Sequence, residues 1–312
     1  MDPIATINPK KDSSLAMLLA AQDRGFELFY FTQSDLLIDE GKPYGFASAL
    51  TVENSLTDWF TLEEAKRIQL NELDVILMRV DPPVDQQFIY TTIILEAAEK
   101  LGTLIVNKPS SLRSCNEKIF ATEFPQCCPK TIITSKRDVI KDFHRQNKDI
   151  ILKPLDGMGG KSIFRAKEGD LNLAVIIETL TDNSNRSILA QKYIPEISQG
   201  DKRILLINGE PIKYCLARMP SKGETRGNLA AGGVGRVQKL SENDLQICSK
   251  ISPKLKDLGL FFVGIDVIGD YLTEINCTSP TCIREINDQS GIDASHNLMD
   301  FICLTLSKKK SP

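Results

Sequence analysis

Histidine is almost missing from this chain: His144 and His296 are the only two in 312 residues. That disfavours a zinc centre built on several imidazoles. None of the eight cysteines forms a C-x-x-C pair. Their wide spread suits free thiols in a reducing compartment rather than a secreted disulfide framework. No stretch approaches the ~20 apolar residues needed to span a bilayer. The opening MDPIATINPKKDSS lacks the apolar core of a signal peptide. Net charge is only −3, which gives nucleic acid no strong electrostatic hold. There is no internal repeat and no low-complexity segment, and Lys308–Lys310 reads as a solvated tail. The expectation is a soluble cytosolic protein.

Hydrophobic residues make up 42% and charged residues 25%, an ordinary globular balance with enough apolar surface for a core. Length alone suggests two or three domains. Short apolar runs alternate with helical patterns. A helix over Ser13–Arg24, capped by Asp12, Ser13 or Ser14, leads to a strand at Phe26–Thr32. Strand Asp74–Val80, a helix from Asp85 to Lys100 and strand Thr103–Asn107 form a βαβ unit, which implies a parallel sheet with covering helices. The first domain ends near residue 110. A helix over Ser111–Phe124 opens the middle section. Strands at Lys130–Ser135, Asp149–Leu155, Ser162–Lys167 and Ser187–Ile194 follow, with helices at Arg137–Asn147 and Leu171–Leu180. The last section is richer in hairpins. One turns at Asn208-Gly209 and one joins Phe261–Ile268 to Tyr271–Cys277 across Gly269-Asp270. A helix near Asp293–Ser307 closes the chain.

Five features could carry chemistry. Asp156-Gly157-Met158-Gly159-Gly160 lies between two apolar strands. Its glycines would let backbone N–H groups approach a phosphate, or the segment is a tight hairpin turn. A strand follows it, so dinucleotide-fold and P-loop readings fail on context. Lys153, three residues earlier, is a strand-end charge or a phosphate ligand. Asp266, Glu274 and Asn276 are oxygen donors that suit Mg²⁺ rather than zinc. Glu274 and Asn276 share a strand face. A two-residue turn at Gly269-Asp270 would set Asp266 opposite Thr273, out of phase, whereas an odd-length loop would set it opposite Glu274. Arg203, Arg218 and Arg226 could grip carboxylates or phosphates bidentately, or be surface arginines. The segment Met219–Gly235 holds five of the nineteen glycines around Arg226, as a lid or a disordered stretch would.

Together these blocks resemble the ATP-grasp fold, and more closely the bacterial glutathione synthetases. The likeness runs through MDPI at the start, DVILMR-DPP at Asp74–Pro83 and NKP-SLR-CNEK at Asn107–Lys118. It continues in DIILKPLDGMGG at Asp149–Gly160, GDKR at Gly200–Arg203, ETRGNLAAGG at Glu224–Gly233 and LTEIN-TSPT-IRE at Leu272–Glu285. The resemblance implies an α/β chain, α+β in its ATP-grasp part. An N-terminal parallel-sheet domain over 1–110 would precede a central lid domain over 111–190. A C-terminal domain over 191–312 would carry the metal and substrate site.

It further implies that Lys118 and Lys153 hold ATP phosphates under the loop of Asp156, Gly157, Gly159 and Gly160. Gln191, Lys192, Tyr193 and Ile194 would line the adenine pocket, with Asp201 toward the ribose. Asp266, Glu274 and Asn276 would hold magnesium, with manganese as an alternative. Arg203, Arg218 and Arg226 would stabilise the transferred phosphate and an acyl intermediate. Arg79 and Ser279 would bind the peptide. The implied reaction joins γ-glutamylcysteine to glycine, and the implied assembly is a homotetramer. Two departures stand out. The short strand that usually precedes MDPI in the family is not in this sequence, so either the true start lies upstream or the first sheet would lack a strand. Val80 replaces the lysine of the MRKDPP form. Another ATP-grasp carboxylate–amine ligase shares the phosphate and metal residues but not the ETRGNLAAGG and TSPT-IRE blocks. A non-catalytic nucleotide-binding module would be expected to lose metal ligands or arginines that this chain keeps.

Overall fold

The structure, a computed structural model, describes residues 1–221, 227, 229 and 232–310. Asp12 caps helix α1 (Ser13–Asp23) by accepting the Leu15 amide at 2.6 Å, because first-turn N–H groups have no partner within a helix. Strands β1 (Leu28–Tyr30), β2 (Leu36–Asp39), β3 (Lys42–Val52), β4 (Phe60–Leu62) and β5 (Lys66–Gln69) follow. All pair antiparallel to the long β3. No strand is legible from the sequence over β2–β5, for a steric reason. Several inward positions of β3 are Pro43, Gly45 and Ala47, which carry little apolar signal. A Cβ at Gly45 would meet Leu70 Cδ2 at 3.2 Å. The expected parallel unit lies beside this sheet: β6 (Val75–Leu77), α2 (Gln86–Lys100) and β7 (Leu104–Val106), with β6 parallel to β7. Asp85 caps α2 through the Phe88 amide at 2.8 Å.

The helix expected over Ser111–Phe124 is two helices, α3 (Pro109–Ser114) and α4 (Glu117–Ala121). Asn116 breaks them. Its side chain accepts the Lys118 and Ile119 amides at 3.0 and 3.1 Å and so starts α4 afresh. The middle sheet runs β10 (Phe164–Ala166), β9 (Ile150–Pro154), β11 (Ile188–Lys192), β8 (Thr131–Thr134). Helices α5 (Arg137–Asn147) and α6 (Leu173–Thr181) cover it through Ile140, Phe143, Ile177 and Leu180.

The third sheet has the order β14 (Val234–Lys239), β13 (Glu210–Met219), β12 (Asp201–Ile207), β15 (Phe262–Ile268), β16 (Tyr271–Asn276), antiparallel throughout. Strand alternation gives it two apolar faces. Ile204 and Leu206 pack on α7 (Glu242–Asp257), while Leu205 and Ile207 face α1, α8 (Ile283–Ser290) and α9 (Ala294–Lys310). The hairpin at Asn208-Gly209 forms as the sequence suggests, with both φ values positive at 49° and 76°. A Cβ at Gly209 would meet Ser252 Oγ at 2.4 Å, so glycine is needed there for space as well as for φ. All eight cysteines are free. Burial pushes Cys128, Cys215 and Cys248 up to about 12, which makes these thiols poor nucleophiles.

Asn107 ties the N-terminal part to the third sheet. Its side-chain nitrogen donates to the carbonyls of Phe262 and Cys277, both at 2.7 Å, and its oxygen accepts the Phe262 amide at 2.8 Å. All three bonds are buried, so removing the amide strands three backbone groups. Asn107→Leu should lower unfolding stability by about 3 kcal/mol, the sum expected for three such groups. A denaturant midpoint unchanged from that of the original chain would contradict this account.

Candidate active site

The middle and third sheets face each other across a cleft lined from both. Its floor is the β15–β16 hairpin. That hairpin has the two-residue turn, Ile268 opposite Tyr271, yet Asp266 stands directly opposite Glu274. A β-bulge reconciles the two: Val267 pairs with Leu272, and the extra residue, Thr273, is left unpaired in the ladder. The Thr273 hydroxyl donates to the Asp266 carbonyl at 3.1 Å and fixes the kink. The short turn and the in-phase carboxylates, alternatives on sequence grounds, thus occur together. Asn276 completes the set, its amide nitrogen 3.3 Å from Asp266 Oδ2.

Each carboxylate is met by two cations. Lys153 Nζ reaches Glu274 Oε1 at 3.0 Å, and Lys118 Nζ lies 4.0 Å from the same oxygen. Arg203 forks onto Asp266 at 2.6 and 3.1 Å, and Arg218 adds a third contact at 2.9 Å. Burial alone would push Asp266 and Glu274 up. Arg203 and Arg218 overcome this at Asp266, and Lys153 and Lys118 at Glu274, holding both carboxyls below the usual range. Burial alone would also lower Lys118, but Glu274 and Glu117 keep it above the ordinary lysine value. Glu117 lines the cleft and holds Lys118 at 2.7 Å. It is a contributor that sequence reasoning missed, although the Asn116 cap that places it is visible in NEK.

The glycine loop forms the cleft roof. Lys118 donates to the Gly157 carbonyl at 2.8 Å. A Cβ on Gly157 would meet Pro154 Cγ at 2.8 Å, and Gly159 and Gly160 have φ of 63° and 80°, a region open to glycine at little cost. Asp156, by contrast, does not line the cleft: it is exposed, 3.8 Å from Arg186. Gln191, Lys192, Tyr193 and Ile194 line the back wall. Gln191 donates its amide nitrogen to Thr131 Oγ1 at 3.0 Å. Arg165 stacks 3.4 Å over the Tyr193 ring and forks onto Asp149, which fixes this wall.

Asp201 lines the cleft and is paired to Arg218 at 2.5 Å, while its Oδ1 is buried without a partner among the described residues. Arg218 itself stands behind Asp201 and Asp266 rather than on the cleft surface. Arg79 and Ser279 do not line the cleft. Arg79 is buried beyond it, donating to Ser14 Oγ at 3.0 Å and the Pro280 carbonyl at 2.9 Å, and burial lowers it to about 10. Ser279 is half-buried in the segment beside that carbonyl. Arg226 lies outside the described residues, as do the other residues of 222–226 and residues 228, 230 and 231 of the glycine-rich segment. Gly227 is described: a Cβ there would meet the Arg218 carbonyl at 2.3 Å, so this point of the segment is pressed against the β13 backbone.

Two antiparallel sheets that close on paired lysines, a glycine loop and two in-phase carboxylates define an ATP-grasp ligase. Solved chains with this fold include the ATP-grasp ligase PsnB with its minimal precursor (TM-score 0.60, 14% identity, 94% of each chain) and the macrocyclase MdnC from Microcystis aeruginosa (TM-score 0.62, 14% identity, 96% of this chain and 97% of that one). The models of the prokaryotic glutathione synthetase N-terminal domain and ATP-grasp domain match residues 1–113 and 117–291, and the chain belongs to that family. Glutathione synthetase of Pseudomonas aeruginosa is 58% identical over 309 residues, 99% of this chain and 98% of the relative. That of Vibrio parahaemolyticus is 55% identical over 302 residues, covering 97% and 96%. The chain is an ATP-dependent ligase that forms a carbon–nitrogen bond.

Burial, with Asp266 and Glu274 adding to it, raises Asp201 from 3.8 to about 7 against the pull of Arg218. Between those values the folded chain holds a proton that the unfolded chain has lost. Stability therefore falls as pH rises through that window. Asp201→Asn has no such proton to lose, so its stability should change less between the two ends of the window. Denaturant titrations at both ends check this. Equal slopes for variant and parent would clear Asp201 as the source.

Proposed function

We propose that the cleft joins the cysteinyl carboxylate of γ-glutamylcysteine to glycine, using ATP through an acyl phosphate, and releases glutathione, ADP and phosphate. One observation supports it best: four basic side chains converge on two in-phase carboxylates between two sheets. A carboxylate is a poor electrophile. To become one it must approach the γ-phosphate, anion toward polyanion, and fixed positive charge has to offset that repulsion.

Lys118 and Lys153 hold the phosphates under the Gly157, Gly159 and Gly160 backbone. Gln191–Ile194 receive the adenine, and Asp201 faces the ribose. Asp266, Glu274 and Asn276 fit Mg²⁺, with Mn²⁺ as the alternative. They offer oxygen donors only, and among the described residues no group of three acidic, Cys or His side chains forms a closed cage. A site of two carboxylates and an amide left open to phosphate oxygens is how magnesium is usually held. Bound there, the cation supplies charge neutralisation at the β- and γ-phosphates. Arg203, with Arg218 behind it, stabilises the phosphate in transfer and the tetrahedral oxyanion that follows. Arg226 joins them, and water has to be kept from the acyl phosphate. Arg79, whose buried Nη1 has no partner among the described residues, and Ser279 take the peptide.

The three-part division at residues 110 and 190, a homotetramer and a cytoplasmic place of work belong to the same proposal. Among the described residues no helix is long and apolar enough to cross a membrane.

Glu274→Gln removes a charge at constant volume. It should lower kcat by about 10² or more, the scale for losing one electrostatic stabiliser, with the melting profile still cooperative. Phosphate release with ATP, γ-glutamylcysteine, glycine and saturating magnesium is the assay. A near-original rate would remove Glu274 from the site.

A further inference from the structure

The reaction has a requirement that no residue named so far meets. Glycine arrives with its amine protonated, and an ammonium has no lone pair for attack. A proton acceptor is needed beside the acyl carbon. Asp266 and Glu274 are engaged with cations, and Asp201 has one oxygen on Arg218 and lies on the nucleotide side.

Helix α8 carries another carboxylate. It begins at Cys282, which has φ of 87°, a costly left-handed conformation for a residue with a side chain. The turn before it and Arg203 both lie against Gly264: a Cβ there would lie 2.9 Å from Arg203 Cδ and 3.0 Å from Pro280 Cβ. The helix is pinned on both sides. The Ile283 amide donates to Ser13 Oγ at 3.2 Å, and Gln289 accepts the Val237 amide at 3.1 Å. In its first turn Glu285 keeps Oε2 buried with no hydrogen-bond partner among the described residues. The buried Arg79, which donates to the Pro280 carbonyl of that turn, keeps Nη1 without one. A free carboxylate oxygen and a free guanidinium N–H at one turn complement the charged ends of amino-acid substrates. Buried polar atoms left unmade are costly, and a ligand is a natural partner for them.

We infer that Glu285 binds the ammonium of glycine and removes its proton for attack on the acyl phosphate. This rests on the placement of Arg203 at the transferred phosphate. Burial holds the Glu285 carboxyl above the usual range, the direction that favours proton uptake, with Lys11, Asp288 and Arg203 as its charged surroundings. The steps balance. Glu285 takes one ammonium proton and becomes the acid. The amine lone pair forms the C–N bond, and the C–O bond to phosphate breaks. The departing phosphate takes the second amine proton, and Glu285 returns its own to solvent.

The test compares glycine with hydroxylamine, which is largely uncharged at neutral pH and needs no proton acceptor. In Glu285→Gln, kcat/KM for glycine should fall by about 10², while hydroxamate formation from ATP and γ-glutamylcysteine stays within about twofold of the parent. Glu285→Asp should restore part of the glycine rate, which separates the role from a folding defect. Three results would overturn the inference: equal losses with both amines, no loss with glycine, or a raised KM for γ-glutamylcysteine with glycine unaffected. The last would assign Glu285 to the γ-glutamyl ammonium. The underlying placement is tested apart from this, because Arg203→Ala should abolish hydroxamate formation whatever Glu285 does.

Discussion

Asp266 and Glu274 facing each other across one hairpin is the constraint from which the rest of the site follows. Two carboxylates that close and that deeply placed repel each other and lose hydration. They persist as anions because each is met by two cations, arginines from β12 and β13 on one side and lysines from β9 and α4 on the other. The pairing also joins the two halves of the cleft: Lys153 comes from the middle sheet and Glu274 from the third, so the ion pair spans them. On the proposed reading, the same charges serve in two arrangements. In the free chain the cations neutralise the carboxylates. With nucleotide present they turn to phosphate, and the carboxylates are left for the metal.

The scaffold behind this pair is rigid for ordinary reasons. The third sheet is buried on both faces, with Ile204 and Leu206 on one side and Leu205 and Ile207 on the other. Arg203 emerges from within that run, so its backbone has little freedom. Asn107 clamps the neighbouring strand to the N-terminal part, and Asn116 restarts a helix one residue before Glu117 and two before Lys118. The site is placed by caps and staples at several points of the chain rather than by one loop.

Much of this was legible in the sequence because the signals were local. Asp12 read as one of three candidate caps, Asp85 as the start of a helix, Asn208-Gly209 as a hairpin turn, and the glycines at 157, 159 and 160 as a phosphate loop or a tight turn. The resemblance named most of the charged and polar side chains that line the cleft. What stayed hidden depended on pairing. The antiparallel strands around β3 bury small residues and so lack an apolar rhythm. The bulge at Thr273 leaves no composition signature, and it alone decides whether Asp266 and Glu274 meet. Asp156 shares a motif with three cleft glycines, yet its side chain turns outward, which spacing cannot tell.

The bulge also separates two jobs that a regular hairpin would bind together. In an unbroken ladder the length of the tip dictates which side chains stand opposite each other, so any change at the tip would move the carboxylates. Here the ladder is reset between Asp266 and the tip, and the tip residues Gly269 and Asp270 sit on the far side of the reset. The hairpin behaves like a shaft with a coupling in it. Its outer end is held separately, by Lys202 donating to the Gly269 carbonyl at 3.0 Å.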